Sequence, residues 1–277
     1  MSQLCIEDYA IGWICALQEE YEAACCRLDD EFEGPETSDV DNSNTYLFGR
    51  IDMIRSFPSL EFALMVGIGG GAPTPTRDIR LGDVVVSRPQ GKLGGVMQYD
   101  IEKWLPDGRF QQTGQLNSPP EVLLEAILMI QRRHIDPGKP DRIPEHLGLI
   151  DDISNHQLPA EDRLYRTDYK HKGGVTCAGC GTDGLKERLP RTTQRAFNNA
   201  KERDQLAPDP ELNVLCFEKE AAGLMNNFPG LVIRGICDYA DSHNNDDWHK
   251  FAVLAAAAYV RQLLHVLEPT KVTRLPT

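Results

Sequence analysis

The chain has 277 residues, 41% apolar and 26% charged, which fits an ordinary globular protein and excludes disordered, collagen-like and fibrous ones. Asp and Glu number 42 against 29 Lys and Arg, a formal charge of -13, and that balance opposes a phosphate-dominated interface with DNA or RNA. The longest apolar helical stretch, residues 251–260, is about half of what a bilayer crossing needs.

The acidic start of the chain lacks the basic region and apolar run of a signal peptide, so the expectation is a cytoplasmic protein without a membrane partner. Its eight cysteines are then expected to be reduced and mostly buried.

Residues 9–17 (YAIGWICAL) read as a short strand and residues 18–28 as a helix, with Tyr21, Ala24, Cys25 and Leu28 on one face. Residues 29–44 are acidic and turn-rich, and 45–51 (TYLFGRI) supply a second strand, a hairpin partner or an edge. Residues 60–68 (LEFALMVGI) form a buried strand that runs into Gly69, Gly70 and Gly71, read as a loop whose backbone can approach a ligand closely. Short strands follow at 84–87 and at 94–100 (GGVMQYD), and residues 119–132 carry a helical apolar pattern.

From Arg133 to Glu211 the chain has little periodicity. Regular structure returns with a strand at 213–217, a helix at 218–227, the strand 231–237 (LVIRGIC) and an Ala-rich helix from Trp248 to Leu267. The pattern is α/β: a single domain over 5–268 with an irregular insertion at about 133–211, and a tail at 269–277.

In open α/β sheets, ligands gather beyond the carboxyl ends of the strands. Four places qualify: Glu19 and Glu20 after the first strand, Gly67 to Gly71, Phe217 to Glu220, and Asp238 to Asp241 after the last strand. Carboxylates beside a glycine run, without a basic cluster, suit a hydroxyl-rich ligand such as a sugar better than a polyphosphate. Each acid also has a structural reading, as a favourable first-turn charge or a turn-forming cap. Cys177-x-x-Cys180 with His171 nearby offers three of zinc's four ligands. A lone pair of this kind is a weak signal, and the expectation is that no metal or other cofactor is bound.

Taken in order, YAIGWICALQEE (9–20), VGIGGG (66–71), DIRLGDVVVS (78–87), GVMQYD (95–100), CFEKEAAGLM (216–225) and IRGICDYAD (233–241) resemble the purine nucleoside phosphorylase and nucleosidase superfamily. The similarity is greatest to its fungal branch, often found as the N-terminal domain of larger NACHT or ankyrin-repeat proteins. The resemblance implies a three-layer α/β/α fold around a twisted mixed sheet and a homo-oligomer. It also implies a purine nucleoside as ligand, with water or phosphate as co-substrate.

Carried onto this sequence, the resemblance makes Asp238 the acid that protonates or hydrogen-bonds the purine N7, and Glu20 the carboxylate that positions an attacking water. Glu220 would grip the ribose hydroxyls, Phe217, Glu218 and Lys219 would line the same wall, and Gly67, Ile68, Gly69 and Gly70 would pass alongside base and sugar. Three departures stand out. Lys219 replaces the usual Met under the ribose, a core strand is expected to be missing after Ile51, and residues 195–203 read as a helix where the family closes a loop over the base. Two functions follow: hydrolytic cleavage of a purine nucleoside, with phosphorolysis as its variant, or a catalytically weakened nucleoside-sensing module.

Overall fold

The computed structural model describes residues 11–32, 47–50, 62–74, 78–90, 93–98, 103–104, 110–111, 116–135, 142–148, 161–166, 169–173, 179–186, 214–225, 229–241, 243 and 246–267. In chain order these form β1 (Ile11–Ile14), α1 (Gln18–Cys25), β2 (Asp30–Phe32), β3 (Phe48–Arg50), β4 (Phe62–Gly71), β5 (Val84–Val86), β6 (Lys103–Trp104) and β7 (Phe110–Gln111). They continue with α2 (Glu121–Ile135), α3 (Ile143–Gly148), β8 (Cys216–Phe217), α4 (Ala221–Leu224), β9 (Gly230–Asp238) and α5 (His249–Val266).

A five-stranded mixed sheet organises the molecule, in the order β1-β4-β9-β5 with β8 attached to β4. β1, β4 and β9 run parallel, while β5 joins β9 and β8 joins β4 antiparallel. The two central strands are buried almost throughout, which explains why they read as continuous apolar runs rather than alternating ones. Alternate side chains serve opposite faces: Phe62, Leu64, Val66, Leu231 and Ile233 pack with α2 and α5, whereas Met65 and Val232 meet Ala221 and Met225 at α4. Helices thus lie on both sides of the sheet, giving the α/β class expected from the sequence.

α5 comes closest to the sheet at Gly235, where an added Cβ would stand 1.9 Å from the Ala252 carbonyl oxygen. Small residues on the helix, Ala252, Ala255 and Ala256, are fully buried there, so the Ala-rich sequence serves close helix–sheet approach.

Four sequence expectations change. The glycine run is not a loop: β4 continues through Gly71, pairing with β9 on one side and β8 on the other. Residues 94–98 are not a strand, because Gly95 takes φ +101 and Gly94 lies against the Leu116 carbonyl. The helix expected at 218–227 shrinks to α4, with Glu218 to Glu220 ahead of it. Within the stretch expected to be irregular, α2 extends to Ile135 and α3 adds a further turn. β3 pairs with β2 as a hairpin, one of the two placements the sequence allows. Residues 51–61, where a core strand was expected to be missing, and 195–203 lie outside the described residues.

His146 of α3 is buried, stacks on His265 of α5 at 5.2 Å between ring centroids, and neither of its ring nitrogens makes a hydrogen bond among the described residues. Burial, reinforced by the neighbouring His265, Arg142 and Arg261, lowers its pKa to about 4. An unfolded imidazole titrates near pH 6.5. Between those values the unfolded chain binds a proton that the folded chain refuses, so stability falls as pH drops from about 6.5 to about 4. At pH 5 the loss from this one ring is on the order of 2 kcal/mol. Thermal melts are expected to show Tm falling between pH 7 and pH 5, and His146→Leu is expected to flatten that dependence.

Candidate functional site

The parallel strands β1, β4 and β9 end at the same edge of the sheet, and the acids singled out from the sequence converge there. Glu20, in the first turn of α1, turns its carboxylate back into the protein. Its Oε2 accepts hydrogen bonds from the Ala16 and Leu17 backbone N–H groups at 2.8 and 3.0 Å, and Oε1 accepts one from the Ile68 N–H at 3.0 Å. Only 3% of Glu20 is exposed.

Beside it lies Arg234, equally buried, on the central strand β9. Its Nη1 stands 3.8 Å from Glu20 Oε1, while Nη2 donates to Glu218 Oε2 at 2.7 Å and to Glu220 Oε2 at 3.1 Å. Glu218 Oε2 also accepts from the Glu220 and Ala221 N–H groups, fixing the turn into α4. One guanidinium therefore gathers three carboxylates from two segments, and three negative charges around one positive leave the cluster with a formal charge of -2. Arg234 Nε is buried without a hydrogen bond among the described residues. Burial, with Glu20 adjacent, pushes the nearby Cys15 thiol up to about 12, so it stays protonated at neutral pH.

The glycines permit this packing. A Cβ on Gly67 would stand 2.0 Å from Glu20 Oε1 and 2.2 Å from Arg234 Nη1, and one on Gly69 would meet Cys216 Sγ at 2.5 Å. Gly70 faces the other acid: its Cβ would lie 2.7 Å from Asp238 Oδ1. Gly67 and Gly70 are three residues apart on β4, with a register shift against β9 between Gly69 and Gly70, so the Arg234 cluster and Asp238 meet different points along the strand.

Asp238 ends β9 and is part-exposed. Its Oδ1 accepts the Ala240 N–H at 2.7 Å, and Ala240 adopts φ +52, a tight turn directly after the acid. Cys237 Sγ lies 3.3 Å from Asp238 Oδ2, and burial with the adjacent Asp238 carboxylate holds that thiol protonated.

The structure thus brings Glu20, Gly67, Ile68, Gly69, Glu218 and Glu220 around Arg234, with Gly70 and Asp238 further along the same strands. Phe217 pairs with Gly70 across β8 and β4. Lys219 is exposed, and its backbone N–H donates to Glu220 Oε2 at 3.3 Å. Arg234 escaped the sequence reading of the site. Its signal was a lone charge inside an otherwise apolar strand, which cannot be buried without anionic partners.

Among the described residues, two groups have metal-ligand chemistry. Cys237, Asp238 and His249 form one, and His171, Cys180 and His243 the other. In the first, the Cys237 thiol keeps its proton beside Asp238. Cys177 lies outside the described residues.

No protein-family model matches the chain. Over 95% of its length it is 38% identical to a nucleotide-binding leucine-rich repeat (NLR)-like protein of Hyaloscypha variabilis, of which it spans 30%. The chain is similar to one part of an NLR-like protein. Among solved structures, the 5′-methylthioadenosine/S-adenosylhomocysteine nucleosidase of Neisseria meningitidis aligns with 92% of the chain and 98% of its own, at 13% identity and a TM-score of 0.46. The corresponding Helicobacter pylori nucleosidase gives 94% and 98%, 12% and 0.49, and futalosine hydrolase of that organism 92% and 97%, 11% and 0.44.

Gly67→Ala is expected to force Glu20 and Arg234 apart and to cost on the order of 3 kcal/mol, the scale of breaking a buried ion pair. Gly223, with open space around it, is the control: Gly223→Ala should change stability by less than about 1 kcal/mol. Chemical denaturation of both variants checks the contrast.

Proposed function

We propose that the chain binds a purine nucleoside at the carboxyl edge of β1, β4 and β9 and hydrolyses its N-glycosidic bond. The observation that carries this reading is the cluster of buried Glu20 and Arg234 with Glu218 and the more exposed Glu220, beside a glycine-lined strand whose far end meets Asp238.

Cleavage needs two things at opposite ends of the reacting bond. As the C1′–N9 bond breaks, its electron pair moves into the purine, and Asp238 supplies a proton or hydrogen bond at N7 so that the base leaves neutral. Positive charge builds on the ribose, favoured by a cluster with excess negative charge. A water oxygen forms the new bond to C1′, its proton passing to Glu20. Glu220, which keeps one oxygen for Arg234 and is more exposed than its partners, is the carboxylate available to the ribose hydroxyls. Phe217 and Glu218 line the wall, and Lys219 remains at its rim.

Phosphate fits this cluster poorly. A dianion next to like charges at 4 Å is opposed by about 4 kcal/mol for each charge pair at an effective dielectric near 20, and Arg234 is already shared among three carboxylates. Hydrolysis is therefore favoured over phosphorolysis.

The second reading, a nucleoside-sensing module without turnover, draws support from a different observation. Glu20 already accepts three backbone hydrogen bonds besides facing Arg234, which describes an anchor between α1 and β4 as well as it describes a base. Similarity to an NLR-like protein of which the chain spans 30% is consistent with such a module.

Chromatography of adenosine, inosine and guanosine reactions, with and without phosphate, separates the readings. The expected outcome is free ribose and base without phosphate, lowered 10²-fold or more by Asp238→Asn. Ribose 1-phosphate formed only with phosphate would establish the phosphorylase variant. A nucleoside-induced rise in Tm without any product would establish the sensing module.

A further inference from the structure

Away from the Arg234 cluster, the loop that follows β9 meets residues 161–186, and three side chains with metal-binding chemistry converge at the junction. His171 Nδ1 lies 3.2 Å from Cys180 Sγ, and a ring nitrogen of His243 completes a set whose ligand atoms all lie within 4.8 Å of one another. We propose that His171, Cys180 and His243 bind a zinc ion that ties the described segments around His171 and Cys180 to the loop that follows Asp238.

The first argument is what His243 lacks. Its side chain is 4% exposed, and neither ring nitrogen makes a hydrogen bond among the described residues. A buried imidazole left unsatisfied is costly. Asp241 Oδ1 lies 3.4 Å from Nδ1.

The second argument is the state of Cys180. It is fully buried, and the Lys172 backbone N–H points to its sulfur at 3.5 Å. Burial of the sulfur and its contact with His171 Nδ1 place it where a third ligand is needed. Neighbouring carbonyls hold the turn: Tyr165 donates to Gly181 O at 3.2 Å, Tyr169 donates to Cys180 O, and Gly181 takes φ +68.

Geometry and donor type select zinc. With bonds of about 2.0–2.1 Å to nitrogen and 2.3 Å to sulfur, tetrahedral ligand atoms stand roughly 3.3–3.6 Å apart, close to the separation of His171 and Cys180. One thiolate and two imidazoles suit zinc rather than calcium or magnesium. Tyr165 stacks on His243 at 4.2 Å between centroids, with Tyr169 behind it at 5.4 Å from Tyr165, an aromatic wall against water.

Among the described residues, Tyr165 and Cys180 with Tyr169 and Leu185 beside them form a small apolar cluster of their own, separate from the main core, where a metal would add a further tie. A metal here would act at a distance from the reaction, through the turn from Asp238 to Asp241. The ligand set stands on the described residues, without Cys177.

The test uses the untagged 277-residue chain, purified reduced. Metal analysis is expected to find about one zinc per chain. Replacement by cobalt(II) should give the visible bands of a tetrahedral site together with a thiolate-to-cobalt charge-transfer band. Cys180→Ser should abolish that band, and His243→Ala should weaken zinc binding 100-fold or more. Where a variant fails to fold, the unsubstituted chain still decides: chelation should lower Tm and zinc should restore it. Absence of stoichiometric zinc together with no thiolate band on adding cobalt would overturn the proposal, as would one zinc retained in both variants.

Discussion

A guanidinium on the central strand of a buried sheet must find anions, and here it finds three. Arg234 reaches Glu20 at the start of α1 and Glu218 and Glu220 ahead of α4, two segments far apart in sequence, and that requirement fixes the architecture of this edge. α1 begins where it does because Glu20 turns inward onto the backbone of Ala16, Leu17 and Ile68. β8 and the turn into α4 are held to the sheet because Glu218 shares Arg234 with them. Gly67 and Gly69 follow from the same constraint, since a side chain at either position would enter the space of the ion cluster or of Cys216.

Burying charge on this scale stabilises little by itself, because desolvation offsets the attraction. What it provides is position. The carboxylates sit at fixed places with a negative excess, and Asp238 stands apart at the strand end with its own turn. This division, anionic at the sugar and proton-donating at the base, is the physical content of the proposed reaction.

Much of the frame is legible in the sequence because its elements announce themselves: LVIRGIC is apolar enough to be a central strand, and the Ala-rich run at the end can only be a buried helix. The glycine run is misread because low strand propensity suggests a loop, whereas the deciding factor is close neighbours on both sides of β4, which no local pattern encodes. Glu20, Glu218 and Glu220 are legible as acids after strands, but not as partners of one cation. Arg234 marks the limit: its charge is plain in the strand, and only the fold shows which acids answer it. His243 illustrates the same point at the metal ligands, since it stands 63 positions beyond Cys180 and only the loop after β9 brings them together.

The claim that Arg234 organises the site is tested most directly by a double-mutant cycle of Arg234→Met and Glu218→Gln, with stability measured by urea denaturation at pH 7. The account predicts that Arg234→Met alone costs about 3–5 kcal/mol, and that the pair departs from additivity by about 1–3 kcal/mol. An Arg234→Met variant destabilised by less than about 1 kcal/mol, with effects additive within about 0.5 kcal/mol, would contradict it.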